Sequence, residues 1–456
     1  MAWSLLLRVG DTNARDVVLT AAPVGVTGYP LGAPEIDQNI VESLGDGDTV
    51  TAARYGSVVE SIDVHIQAAT PTLVRDSVRA IERLLDLARQ GSIGYLADKV
   101  YLVIQFDQDT EGWRSQILAA TWQGTSGDAP NLAWKNYTTG TIALTRRYYW
   151  ETESLHPVAL TSGPTPTATT GYATVYNADD TSSTNQNWFQ LAADQVQGSL
   201  PAPARLSIKN NSGATRQATT IYLANYVFTN PTTVDPIFRG NQSAGGFAPT
   251  TTETDIAYWS LAGDNLTDAF KGQFGRMVVV YSDRPATTTL MRAAVQFRFP
   301  APALDLALGD QHLDISQDYV MDLGALPIPP GVNWISGGTG VYLALKGRSA
   351  SGTDSVAPSF IQIMPSTSGC YRVLKGVVSL NAAVGDEIID DGPAGAVYAL
   401  SAGHRQPIYR PFFEPIHLWP GVVQRLRLII SSGSFPMELN QPWQVSCSVR
   451  YRRLTL

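Results

Sequence analysis

The strongest constraint on this chain is a two-residue hydrophobic rhythm that runs through almost all of it and breaks once. From Val58 to Gln67 the residues alternate: Val58, Glu60, Ile62, Val64 and Ile66 fall on one side, and Val59, Ser61, Asp63, His65 and Gln67 on the other. A period of two belongs to a β-strand with one covered face. Directly afterwards the period changes. Val74, Val78, Ile81, Leu85 and Ala88 recur at steps of four and three, the spacing of one helical stripe. Thr70 suits the cap, Pro71 the first helical position and Gly91 a left-handed stop. Arg75, Asp76, Arg79, Glu82, Arg83 and Asp86 take the opposite side. The pattern predicts an amphipathic helix over Pro71–Gln90 that lies on a sheet, with Val58, Ile62, Val64 and Ile66 packing against Val74, Val78, Ile81 and Leu85.

Elsewhere the rhythm is that of strands. Trp3, Leu5, Leu7 and Val9 alternate, and Val100–Phe106 and Thr139–Thr145 read the same way. Residues 151–171 are rich in Pro, Thr and Gly and read as a linker or extended crossover. Beyond them come short strands with turn signals, among them Tyr172–Tyr176, Thr220–Val227, Gly275–Tyr281, Tyr371–Val378 and Trp443–Arg452, and no helical window. That texture predicts β-sandwich or jelly-roll units. The fold class expected is mainly β: a sandwich or barrel domain with one amphipathic helix over 1–151, a jelly-roll-like β-sandwich over 152–302 and a second sandwich over 303–456, divided at the Pro300-Ala301-Pro302 break.

Composition excludes several functions. Apolar residues make up 44% of the 456 and charged residues 16%, too apolar for disorder and too poor in charge for a coiled coil. A net charge of −8 argues against a dedicated nucleic-acid binder. The longest apolar runs, such as Met277–Tyr281, are strand-sized rather than membrane-sized, and the N-terminus has no basic region of a signal peptide. Two cysteines, Cys370 and Cys447, give no disulfide framework and read as buried thiols. The five histidines fall at no metal-ligand spacing, and no nucleophile elbow, zinc or phosphate-loop motif occurs. Asp46-Gly47-Asp48 and Asp390-Asp391-Gly392 read as turns. No enzyme, cofactor or metal is expected. The remaining chemistry-bearing candidates are aromatic. Trp188, Tyr222 and Trp259 would stack on sugar faces if exposed; the competing reading has such rings filling a core or a subunit interface.

The order of elements in the first 150 residues resembles the N-terminal domain of phage distal tail proteins. An Ile/Val-rich strand (Val58–Gln67) leads into the helix, strands and a turn-rich segment follow, and a strand ending in aromatics and Glu, Ile142-Ala-Leu-Thr-Arg-Arg-Tyr-Tyr-Trp-Glu151, closes the set. The later part is similar in architecture to the jelly-roll or carbohydrate-binding-like domains that many such proteins carry. The resemblance implies a structural virion protein of the tail tip. Copies would join their sheets into a homohexameric ring between the tail-tube protein and the tail-tip hub. DNA would pass through the lumen without specific binding, and a host-surface glycan is a further expected partner. Six copies would carry −48, six times the −8 of one chain, which would keep DNA off the wall. A tail-tube protein with decoration domains and a carbohydrate-binding adhesin are the alternatives.

Overall fold

The computed structural model describes residues 3–11, 16–42, 48–93, 98–124, 135–160, 165–166, 172–178, 184–228, 237–239, 249–260, 274–286, 289–298, 303–305, 313–314, 318–328, 340–352, 354–433 and 440–456. The protein is mainly β, and among the described residues it has one α-helix. It divides into two compact units. Unit 1 holds Met1–Leu155 together with Gly198–Leu200 and Arg450–Leu456; unit 2 holds His156–Gln197 and Pro201–Val449.

Unit 1 contains β1 (Trp3–Val9), β2 (Val17–Val18), β3 (Val24–Gly28), β4 (Ile36–Glu42), β5 (Asp48–Tyr55), β6 (Val58–Gln67), α1 (Pro71–Ser92), β7 (Val100–Phe106), β8 (Trp113–Gly124), β9 (Tyr137–Arg146) and β10 (Trp150–Thr152). The strands pair in the order β2-β1-β7-β8-β9-β6-β3, all antiparallel. β8 turns the corner of this sheet. Its first residues, Trp113–Gln116, pair with β7. After an irregularity between Ile117 and Ala119 the rest pairs with β9. A bulge that bends a strand from one partner to the next is how sheets curve. Among the described residues β4 and β5 pair only with each other.

The curved sheet and α1 enclose one core. Leu5 and Leu7 of β1, Leu102 and Ile104 of β7, Ile62, Val64 and Ile66 of β6, and Ile142 and Leu144 of β9 meet the helix stripe Val74, Val78, Ile81, Leu84, Leu85 and Ala88. Val58 is also buried. Each aliphatic side chain buried in this way contributes ~1.5–3 kcal/mol over exposure. The Thr70 hydroxyl caps the helix by accepting the Leu73 N–H at 3.4 Å, and Pro71 opens the first turn. Gly91 does not end it. The helix runs through Gly91 to Ser92 and is capped at Ile93, whose φ of −92° is not left-handed. The glycine answers a different need: a Cβ there would lie 2.9 Å from the backbone carbonyl oxygen of Asp98. Close approach of backbone, and not a positive φ, excludes a side chain at this position.

Residues Arg450–Leu456 belong to the same unit. A final strand, Arg452–Arg453, pairs with β10, Trp150 against Arg453 and Glu151 against Arg452. Thr152 N–H donates to the Tyr451 carbonyl at 3.0 Å, and Tyr451 N–H returns to the Thr152 hydroxyl at 3.1 Å. Leu456 packs on the unit 1 core.

In unit 2, two sheets combine early and late parts of the chain. Ala202–Asn210 lies between Glu387–Asp391 and Pro442–Val449. Arg216–Phe228 lies between Tyr371–Ala382 and Val423–Ser431. Two further sheets come from the intervening stretch: one orders Ile237–Arg239, Ala357–Pro365, Phe274–Asp283 and Val320–Pro327, the other Thr254–Ser260, Gly340–Ser349, Thr289–Arg298 and Ala303–Asp305. The division expected at 302/303 does not follow this pairing, because Ala303–Asp305 is a neighbour of Thr289–Arg298 and the late strands return to the early ones. Tyr222, Tyr226, Trp259, Met277 and Phe360 belong to the shared core of this unit. Cys370 and Cys447 are buried and unpaired.

Candidate assembly surface

Alternation gives the β6–β9–β8 sheet one apolar and one polar side. On β6 the core-facing residues are Val58, Glu60, Ile62, Val64 and Ile66. Register places the other residues opposite matching neighbours: Ser61 faces Ala143, Asp63 faces Thr141, His65 faces Thr139 and Gln67 faces Tyr137. On the far side of β9, Thr121 meets Ala143 and Gln123 meets Thr141. The outward face is therefore made mostly of hydroxyls, amides and small side chains, with Val59 and the His65 and Tyr137 rings among them. Asp63 is its one charged residue, and its carboxylate accepts the Thr141 hydroxyl at 2.6 Å. No Arg or Lys projects from these strand positions; Lys135 precedes β9, with its ammonium 5.4 Å from the Tyr137 ring.

The sheet ends at β3. Its inner side pairs with β6, Val24 opposite Ile66 and Val26 opposite Val64, with an irregularity before Gly28. No strand among the described residues pairs with its outer side. An edge of this kind is a template for another strand.

One residue on the apolar side of β6 is not apolar. Glu60 is fully buried and meets Arg146 of β9, also fully buried, at 2.6 Å. The carboxylate accepts the Tyr29 hydroxyl at 2.8 Å and the Gly32 N–H at 3.0 Å. Arg146 donates to the Gly32 carbonyl at 3.1 Å and stacks 4.4 Å from the Trp150 ring. Burial first, then the Glu60 charge, push the Tyr29 hydroxyl above its ordinary value, so it remains a donor. The pair ties the segment leading into β4 to the sheet. An acid at an otherwise apolar strand position, with an arginine near the end of the closing strand, was the readable signal.

A second ionic group sits where β8, β10 and the C-terminal residues meet. Arg114 lies between Asp11 and Glu151, 3.2 Å from the latter. Arg450 reaches Asp11 at 3.4 Å and Arg452 reaches Glu151 at 3.3 Å. Burial, then the charge of Arg147, followed by Arg114 and Arg452 against the pull of Glu151, leave the Lys99 ammonium below its ordinary value. Burial would raise the Asp11 carboxyl, but the hydrogen bond and charge of Arg114, with Arg450 and Lys99, hold it below 3.8.

The aromatic candidates are not surface platforms. Tyr222 and Trp259 are 7% and 5% exposed within the unit 2 core, so neither presents a ring to a sugar. The face of Trp188 carries the Arg425 guanidinium at 4.1 Å. Tyr222 lies in a run buried on both sides of its strand, and Trp259 turns into the same core, where a ring is packing material. Asp390 is not a turn residue either: it lies in the strand Glu387–Asp391, buried against Arg372. Asp46 and Gly47 fall outside the described residues. Among the described residues the exposed rings include Tyr137, Tyr172, Phe274, Phe412 and Phe413. Phe413 has a φ of +67°, a strained value for a bulky side chain. Its carbonyl accepts an Arg372 guanidinium N–H at 2.9 Å, and the Arg276 guanidinium lies 4.8 Å from the centre of its ring. No group of three or more metal-ligating side chains occurs among the described residues, and no described helix is long and apolar enough to cross a membrane.

No family model matches this chain, and no curated protein matches it. Several solved structures are similar. The SPP1 Dit protein, described as a paradigm of the hub adsorption apparatus in phages that infect Gram-positive hosts, is 10% identical over 99% of each chain, with a TM-score of 0.28. A chain of the phage P2 baseplate in its calcium-activated conformation is 10% identical over 99% of this chain and 98% of that one, with a TM-score of 0.29. A chain of the anti-feeding prophage baseplate is 12% identical over 32% of this chain and 88% of that one, at 0.18. Scores of this size do not establish a common fold, so the sheet face, its edge and its charges have to carry the functional reading themselves.

Proposed function

We propose that this chain is a structural protein of a phage tail tip, whose unit 1 joins copies of itself into a ring between the tail tube and the tail-tip hub. The single observation that carries the reading is the outward face of β6, β9 and β8. Proteins that hold DNA do so with Arg and Lys on phosphates. A hydroxyl- and amide-rich face whose one charge is the Asp63 carboxylate offers phosphates nothing to hold and weakly repels them, as the wall of a DNA channel requires. The unpaired outer side of β3 supports self-assembly, because a neighbouring copy would satisfy its backbone groups. The order of strands and helix that resembles distal tail proteins agrees with this reading, and sixfold symmetry follows from that resemblance. The protein needs no catalytic chemistry for this role.

Negative-stain electron microscopy of the purified full-length protein tests the proposal. Annular particles with a central pore are expected. A monomer at every concentration, by imaging and by sedimentation, would overturn it.

A further inference from the structure

At one rim of a unit 2 sheet, antiparallel pairing collects a set of polar side chains. The strand Phe274–Asp283 ends there. Its two neighbours, Val320–Pro327 and Ala357–Pro365, begin there, with Val280 opposite Val320 and Asp283 opposite Ala357. The residues just before those neighbours, Tyr319 and Ser355, therefore arrive beside Asp283 and Arg284. Tyr281 N–H donates to the Tyr319 carbonyl at 2.8 Å and the Ser282 hydroxyl to the Ala357 carbonyl at 3.1 Å, which fixes the rim. Asp283, Arg284, Tyr319, Asp354 and Ser355 line a cavity of about 310 Å³ there, with Pro285 at its side. That volume is at the small end of the ligand-pocket range of ~300–1,000 Å³.

The lining is mixed in a particular way. Asp354 is held by three hydroxyls, those of Thr289 at 2.6 Å, Ser351 at 3.0 Å and Ser349. Asp283 receives the Ser355 hydroxyl at 2.5 Å on one oxygen; among the described residues its other oxygen has no donor, and the Tyr319 hydroxyl has no partner. The Arg284 guanidinium lies 5.5 Å from the Tyr319 ring. Two carboxylates disfavour an anion. A cation would find Asp354 already engaged by hydroxyls and no third ligating side chain grouped with the two aspartates. A neutral polyol suits both kinds of group: its hydroxyls donate to Asp283, accept from Arg284 and do either with Tyr319, while its C–H edges rest against Pro285.

We propose that this rim cavity binds a single pyranose residue of a glycan. The site belongs to unit 2 and stands whether or not unit 1 forms a ring. Saturation-transfer NMR on the full-length protein, with the methyl glycosides of glucose, galactose, mannose and N-acetylglucosamine as probes, tests it. At least one probe is expected to receive saturation. Its affinity is expected to fall about tenfold in Asp283→Asn and in Arg284→Ala, the effect of one lost charge-assisted hydrogen bond, and to stay unchanged in Trp188→Ala. Tyr319→Phe removes one oxygen atom only, and so tests the site even if Arg284→Ala fails to fold. No transfer to any of the four probes would overturn the proposal, as would transfer that Asp283→Asn and Tyr319→Phe leave intact. Annular particles seen with the same preparation bear on unit 1 alone, so the two readings fail separately.

Discussion

The Glu60–Arg146 pair shows how one residue in an alternating strand can carry a different burden from its neighbours. Glu60 occupies a core-facing position between Val58 and Ile62, and the protein meets the cost of burying its charge with an arginine, a tyrosine hydroxyl and a backbone N–H. Removing one partner leaves the other buried and unpaired, which costs ~3–5 kcal/mol. Glu60→Ala should therefore lower stability by about that amount in chemical denaturation followed by circular dichroism, whereas the double change Glu60→Leu with Arg146→Met should recover much of the loss. Asp11 makes a different prediction because its carboxyl titrates below the ordinary 3.8 when folded. The stability it supplies is present above the unfolded value and is lost as pH falls through the lower, folded one. The difference in urea midpoint between the wild type and Asp11→Asn should hold from neutral pH down to the ordinary carboxylate range and close below it.

At the scale of elements, Gly91 inverts a familiar rule. Inside a helix Gly→Ala ordinarily gains ~1 kcal/mol. Here the added Cβ would press on the Asp98 carbonyl oxygen, so Gly91→Ala should lower the melting temperature despite the better propensity. β3 gives a prediction about association and not folding. Thr27 is exposed on this edge strand, and a lysine there should discourage strand pairing between copies. Thr27→Lys should leave circular dichroism unchanged while reducing annular particles in electron micrographs. Elements of this kind were largely legible in the chain. β6 and α1 announce themselves because each has one covered side, so the period of burial appears directly in the residue pattern. Where a strand is covered on both sides the pattern disappears. Ile221, Tyr222, Leu223 and Ala224 are buried in succession, and nothing local distinguishes a ring in such a run from a ring offered to a ligand. That is why Tyr222 and Trp259 read as candidates for stacking, and why Asp283 and Tyr319, which only the pairing of distant strands brings together, did not appear as a site.

For the whole molecule, the arrangement that no local pattern could convey is the return of the chain to its beginning. Pairing between Trp150 and Arg453, or between Ala204 and Val449, links residues hundreds of positions apart. Hydrophobic period reports which side of a strand is covered but not which strand lies beside it. The first unit is consequently not a contiguous stretch. A fragment of residues 1–155 lacks Arg450 and Arg452, which meet Asp11 and Glu151, and lacks the partner strand of β10. Expressed alone it should be aggregated or incompletely folded, and fusing residues 450–456 to it through a flexible linker should restore a cooperative unfolding transition.

The segment Arg450–Leu456 also has a consequence in time. Translation delivers it only after the whole of unit 2 has been made, yet it supplies the partner strand of β10 in the sheet that begins at Trp3. A ribosome that stalls between the two releases a polypeptide whose opening sheet is still unsealed, so unit 1 closes only once the synthesis of unit 2 is finished.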